Sequence, residues 1–235
     1  MRHLKKICFI LLGMLGFVAL LCSIAASSIV SQPLMEKGFL TYADTAHLSV
    51  PATEYPHYAR AIAEYLDGKA DTIQVPSPDA PKAMQPAFSE KENLHMQDVR
   101  GIVSFLKGMR WIGGGLVIAV IAGLYLFSSK EKKNSLLAQI LEGFAWGAIA
   151  LLGIIAALVV WGLINFDGLF WFFHQIAFTN DLWLFDPETD YMIRMLPEGF
   201  FYDMVMRIGL CFIIGLVLLT LLFWMLRRKK NKDNL

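Results

Sequence analysis

Four uninterrupted apolar runs limit this chain more than any other feature. They cover residues 7–30, 111–127, 143–166 and 208–226. At 1.5 Å per helical residue they lie near the roughly 20 residues that cross about 30 Å of hydrocarbon, the second being rather short. A soluble domain of 235 residues, even one 56% hydrophobic, holds one sizeable core and does not carry four such runs. The expected class is an all-α polytopic membrane protein, with four transmembrane helices and a small extracytoplasmic cap.

The first run opens on basic residues and carries Ala25, Ala26 and Ser28 near its end, as a signal peptide does. Its apolar part exceeds the usual 7 to 15 residues, which favours a retained anchor. Leu21 ahead of Cys22 is the wrong neighbour for lipidation of that thiol. Cys8, Cys22 and Cys211 sit in or beside apolar runs, form no CxxC pair, and read as small hydrophobes.

Basic residues set the topology. Arg2, Lys5 and Lys6 precede the first span, Lys130, Lys132 and Lys133 separate the second and third, and Arg227, Arg228, Lys229, Lys230 and Lys232 follow the fourth. By parity all three groups share a side, and the positive-inside rule makes it cytoplasmic, with both termini inside the cell membrane. The chain then divides into helix 1 with its basic start (1–30), a cap segment (31–110), helices 2 and 3 with a short basic loop (111–166), a second outer segment (167–207), and helix 4 with a basic tail (208–235).

Within the first outer segment, Thr53 is placed to cap a helix through Pro56. Tyr58, Ala61, Ile62, Tyr65 and Leu66 form its stripe and Gly68 its stop. That stripe needs an apolar surface, either the rest of the cap or the membrane. Residues 75–86 hold four prolines and no periodicity and read as a loop. Ser89 and Glu92 form a capping box that starts a further helix. On it His95, Asp98, Val99, Ile102 and Leu106 share a broad face, and Asp98, one turn on, is placed to orient the imidazole. A straight helix puts His95 about 24 Å from Trp111, so Gly101 and Gly108 are candidate bends. His3, His47 and His57 have no ligand-spaced partners and read as polar surface residues.

Glycines 113–115 in the second span, and Gly143, Gly147, Gly153 and Gly162 in the third, suit close helix packing. Glu142 reaches water by tilting at the cytoplasmic start of the third. No apolar core contains a histidine or aspartate, which argues against a haem ligand pair or a proton relay at depth.

After the third span comes WGLINFDGLFWFFHQIAFTNDLWLF, residues 161–185, with nine aromatic residues and with His174, Asn180 and Asp181 among them. An interfacial belt accounts for some of the rings but not for these polar insertions. Asp186 before Pro187 is a candidate cap for a short helix through Tyr191 and Met195.

Parity brings His95 and His174 to one side of the membrane. Two imidazoles can divide proton transfer, one accepting from a nucleophile and the other serving an oxyanion or leaving group. There is no GxSxG serine and no HExxH metal site, which leaves the nucleophile to the substrate. The residues point to an outer-face membrane protein, with acyl transfer to or hydrolysis of a lipid as the enzymatic readings. A non-catalytic subunit that binds a partner through its cap is the alternative.

The segments LHMQDV around His95 and FHQIAFTNDLWLFDPETDYMIRMLP from Phe173 resemble those of the bacterial lipoprotein intramolecular transacylase family. The resemblance covers nearly the full chain, and NDLWLFDPETD is its most specific part. It implies movement of an acyl chain from the glyceryl sn-2 oxygen of a diacylglyceryl lipoprotein to the α-amine of its N-terminal cysteine, giving the lyso form.

It also implies that His95 and His174 are the catalytic histidines, with either assignment of base and acid open. Asp98, Arg100, Asn180 and Asp181 are candidates to orient the head group or an imidazole, and Phe172, Phe173, Phe178 and Trp183 to wall off the reaction. No metal, cofactor or nucleic acid is expected. The partners are diacylated lipoproteins and membrane lipid, and the chain is expected to act as a monomer.

Overall fold

In the computed structural model, which describes residues 2–44, 48, 50–77 and 84–233, the chain is almost entirely helical. The helices are α1 (Arg2–Ile29), α2 (Gln32–Tyr42), α3 (Tyr55–Asp67), α4 (Glu90–Leu126), α5 (Lys130–Ile164), α6 (Phe166–Ala177), α7 (Tyr191–Met195) and α8 (Glu198–Asp233). Four of them, α1, α4, α5 and α8, contain stretches long and apolar enough to cross a membrane. The protein is a multi-pass membrane protein of all-α class.

The chain separates into two units. One comprises residues 1–24, 107–160 and 208–235, the other 25–106 and 161–207. In the first, Phe17, Ala148, Phe212 and Leu216 form a buried cluster flanked by Phe144 and Leu151. Glycine lets two backbones meet here. A Cβ on Gly143 would stand 2.5 Å from the Phe9 carbonyl carbon, and one on Gly147 2.8 Å from the Met14 nitrogen. Only hydrogen fits between α1 and α5 at these points. Of the other glycines expected to pack closely, a Cβ on Gly162 would meet a Leu169 methyl at 3.1 Å. Among the described residues no heavy atom outside the helix's own neighbouring turns comes within 4 Å of a Cβ placed on Gly114, Gly115 or Gly153, and Gly113 meets Ala19 and Leu15 at ordinary distance. Glu142 pairs with Lys6 at 2.8 Å.

The second unit has its own core, built on α3. Tyr55, Tyr58, Ala59, Ile62, Tyr65 and Leu66 bury one face of that helix against Met35 and Phe39 of α2, Met96 and Val103 of α4, and Met192 and Met195 of α7. The stripe read from spacing therefore lies on the core of this second unit. Gly68 ends α3 in the left-handed conformation, φ +83°, with its N–H bonded to the carbonyls of Glu64 and Tyr65. At the other end the expected cap is displaced: Thr53 lies inside a 3-10 turn, Ala52–Glu54, and no side chain caps α3.

The two ends of the expected loop at residues 75–86 also differ from expectation, while residues 78–83 lie outside the described residues. A two-stranded antiparallel ribbon forms, β1 (Gln74–Pro76) against β2 (Met84–Pro86), with Val75 opposite Gln85. Prolines at strand ends are compatible with a pair that has no further neighbours to bond. His57 is exposed on α3 and His3 on α1, while His47 lies outside the described residues. The capping box forms as read. Glu92 Oε2 accepts from the Ser89 N–H at 2.8 Å, and Ser89 Oγ accepts from the Glu92 N–H at 3.3 Å. α4 runs uninterrupted through Gly101 and Gly108. Asp186 initiates a turn, accepting from the Glu188 N–H at 2.9 Å, and α7 begins only at Tyr191.

Candidate active site

His95 projects from α4 and His174 from α6, and both are buried. Glu90, Lys91, Glu92, Asp98 and Arg100 crowd the first turns of α4, so its apolar stretch begins beyond Arg100 and His95 stands outside it. The two imidazole centroids are 6.3 Å apart with their planes inclined by 25°. Phe178, just past the end of α6, touches both: its ring lies 4.9 Å from that of His95 and 5.5 Å from that of His174.

The proton on His174 can be placed. Its Nδ1 lies 2.7 Å from the Phe170 carbonyl, one turn back on α6. A carbonyl oxygen only accepts, so Nδ1 carries the hydrogen and Nε2 keeps its lone pair. Burial holds this imidazole below its ordinary 6.5, against the opposing pull of the Phe170 carbonyl. His95 is pushed down to about 4, chiefly by burial and also by His174, with the Asp98 carboxylate opposing. Both rings are therefore neutral at physiological pH. His95 Nδ1 is buried and has no hydrogen-bond partner among the described residues.

Aromatic rings enclose the pair. Phe170, Trp183 and Phe173 stand 4.0, 4.9 and 5.3 Å from His174, and Phe185 5.3 Å from His95. A low-dielectric wall of this kind strengthens any hydrogen bond made inside it. The Phe185 ring also receives the Lys91 ammonium, 5.3 Å from its centroid.

Polar ties hold the loop after α6 to the first turns of α4. Asn180 Nδ2 donates to Asp98 at 2.9 Å, and Asn180 Oδ1 accepts from the Leu182 N–H at 3.1 Å. Lys91 donates to the Leu184 carbonyl at 2.6 Å and to Asp190 at 3.2 Å. Glu92, wholly buried one turn before His95, accepts from the Met192 N–H as well as from Ser89. One carboxylate thus serves the starts of both α4 and α7.

Of the residues singled out from sequence, Asp98, Asn180, Phe173, Phe178 and Trp183 gather at the histidines or on their supports. Asp98 does so differently than expected, since its carboxylate bonds Asn180 and not the Nδ1 of His95. Arg100 is turned away, with its guanidinium 4.8 Å from the Tyr65 ring on α3. Phe172 packs on Trp161 at 5.0 Å, and Asp181 is exposed. Glu92, Phe170, Lys91 and Phe185 were not foreseen as site residues. Spacing held a signal for the first two, which lie three residues before His95 and four before His174, one helical turn in each case. Among the described residues no three His, Cys, Asp or Glu side chains cluster as metal ligands do.

Comparison with known proteins gives the same direction. Residues 9–201 match the family described as lipoprotein intramolecular transacylase Lit. The solved structure of the membrane-integral lipoprotein intramolecular transacylase from Bacillus cereus is 26% identical, with a TM-score of 0.66 over 100% of this chain and 99% of that one. A variant of that enzyme with a histidine replaced by alanine gives 25% identity and a TM-score of 0.68 over 98% of this chain and 97% of the other. A protein of Aquifex aeolicus is 28% identical over 134 residues, and the match spans 55% of its length.

Proposed function

Because this chain belongs to the lipoprotein intramolecular transacylase family, we propose that it moves an acyl chain from the glyceryl sn-2 ester of a diacylglyceryl lipoprotein to the α-amine of the lipoprotein's N-terminal cysteine. It is a membrane acyltransferase of lipoprotein modification. The observation that carries the reading at this site is the pair of buried, neutral imidazoles 6.3 Å apart that share the ring of Phe178.

The substrate supplies both nucleophile and ester, so folding its head group until amine and carbonyl meet supplies most of what a second-order reaction would need from concentration. The amine lone pair attacks the ester carbonyl and forms a tetrahedral oxyanion. Attack makes the N–H acidic, and Nε2 of His174, held as an acceptor by the Nδ1 bond to Phe170, takes that proton. Neutral His95 donates an N–H to the oxyanion, a role for which an uncharged imidazole is suited. Collapse breaks the bond to the glyceryl oxygen, which receives the proton that His174 took from the amine, so that both imidazoles end neutral and amide and free hydroxyl result with no change in mass. Asn180 and Asp98 position the loop that carries Phe178, Trp183 and Phe185.

The chain acts as a monomer, since one copy holds both imidazoles, and the site opens on the extracytoplasmic face with both termini inside the cell. Mass spectrometry of a synthetic diacylated lipopeptide incubated with the enzyme tests the activity. The expected product has unchanged mass and fragments with the acyl group on nitrogen. Release of free fatty acid would make the protein a hydrolase, and unchanged substrate would make it neither.

The pH profile follows from the two lowered imidazoles. Neither takes up its proton at 6.5 in the folded protein, so the group that titrates near neutrality is the substrate amine, at roughly 7.7 to 8.0. In zwitterionic nanodiscs kcat/KM is expected to rise about tenfold per pH unit up to the amine's value and then level, with no inflection at 6.5. An inflection there would mean that a solvated imidazole does the work. Stability moves in the same sense. The unfolded chain binds protons near 6.5 that the folded pair refuses, so stability is full above 6.5 and falls as pH drops toward 4.

A further inference from the structure

The short turn between α4 and α5 joins two helices that do not close on each other. Ile118, Ile121, Ala122 and Tyr125 recur at three- and four-residue intervals and share one stripe of α4. That stripe faces Leu136 and Ile140 of α5 across a cleft of about 350 Å³ with no charged residue in its lining. Ile140, 7% exposed, forms the floor, while Ile118 and Tyr125 leave 70 and 52% of their surface open. The stripe continues through Gly114 and Gly115, where, among the described residues, nothing outside the helix's own turns lies within 4 Å of an added Cβ.

Both helices are apolar and long enough to cross a membrane, so the cleft takes hydrocarbon and not water. Which lipid supplies it is decided at the end nearest the turn. There Tyr125 carries the Lys133 ammonium 4.3 Å from its ring centroid. Lys133 belongs to a run, residues 130–133, of three lysines against one glutamate. A cation laid on an aromatic face is held in place and does not swing free in solvent, and the ring that holds this one is itself part of the cleft wall. Apolar cleft and fixed cation are thus joined through one side chain, in the order in which an anionic phospholipid presents its acyl chain and its phosphate. A zwitterionic lipid offers the same chain and phosphate but brings an ammonium of its own, which cancels the attraction.

We propose that the cleft between α4 and α5 is a binding site for one anionic phospholipid, with an acyl chain along Ile118, Ala122 and Ile140 and the phosphate on Lys133. The lipid completes the helical hairpin, supplying contacts that Gly114 and Gly115 do not make, and it is not the lipoprotein that reacts at the histidines. The site requires nothing of the acyl-transfer chemistry, and its test needs no turnover.

Native mass spectrometry of the full chain, released from detergent micelles that hold equal amounts of phosphatidylglycerol and phosphatidylcholine, reads the site directly. One phosphatidylglycerol per chain should be retained about fivefold over phosphatidylcholine, the discrimination that one lysine near a membrane surface supplies. Lys133→Gln should bring that ratio close to one, while Lys5→Gln, at an exposed lysine of α1, should leave it unchanged. Ala122→Trp, whose indole enters the cleft from an exposed position, should remove the retained lipid of either kind. Equal retention of the two lipids by the parent, or the same loss of preference in both lysine variants, would overturn the headgroup assignment, and unchanged retention in Ala122→Trp would overturn the cleft. The thermal midpoint in detergent gives a second reading that no folding defect can mimic. It should rise further with phosphatidylglycerol than with phosphatidylcholine in the parent and equally with both in Lys133→Gln; an equal rise in the parent would overturn the proposal.

Discussion

His174→Ala is expected to lower kcat for acyl transfer by about 10²- to 10⁴-fold, the range for loss of a positioned proton acceptor, with little change in the thermal midpoint in detergent. His95→Ala is expected to lose roughly 10²- to 10³-fold, the range for an oxyanion donor. Glutamine separates the two roles. An amide keeps an N–H, so His95→Gln should recover about tenfold over His95→Ala, whereas His174→Gln should remain as inactive as His174→Ala because an amide does not take up a proton at these pH values. Recovery at position 174 and none at 95 would exchange the assignments. Full activity in either alanine variant would remove that histidine from the mechanism.

Glu92→Ala is expected to be the most destabilising single change near the site. Its carboxylate is wholly buried and accepts from the N–H groups of Ser89 and Met192. Removing it strands the buried Met192 N–H and leaves the Ser89 N–H, on an exposed residue, to water. A buried donor left unsatisfied costs about 1 to 3 kcal/mol, so a loss of roughly 3 kcal/mol is expected in a denaturant titration of the detergent-solubilised protein. Glu92→Gln keeps one acceptor and should lose about half as much. Because this carboxylate joins the start of α4 to the start of α7, Glu92→Gln should also lower kcat more than it raises KM. A variant as stable as the parent would mean that water replaces the carboxylate.

The parts of this structure that could be read from sequence are those whose partners lie close along the chain. The spans were legible because their signal is composition alone, and the Ser89–Glu92 box because both halves fall within four residues. Gly68 was legible because its left-handed turn excludes most other residues. The ribbon at residues 74–86 was not, since its pairing depends on register and its prolines read as loop.

At the site, the two histidines, and Asp98 and Asn180 beside them, could be chosen from neighbouring chemistry and topology, but which side chain supports which could not. Asn180 and Asp98 are separated by 82 residues, and Glu92 and Met192 by 100. Arg100 and Phe172 were misplaced for a reason that helix geometry contains. Arg100 stands five residues from His95, about 140° round α4, and Phe172 two residues from His174, on the far side of α6. Phe170 at four residues is the ring on the right face.

The bond from His174 to the Phe170 carbonyl sets a limit on what this site can activate. A hydrolytic triad backs its histidine with a carboxylate, whose charge steadies the imidazolium while a hydroxyl is being stripped of its proton. Here the backing group is an uncharged peptide oxygen, so the imidazole remains a weak base with no counter-ion of its own. It suffices for an amine, which attacks first and sheds its proton afterwards. Water, with a pKa near 15.7, needs help before it attacks, and such a histidine offers too little of it, so the choice of nitrogen over oxygen is built into a single main-chain contact.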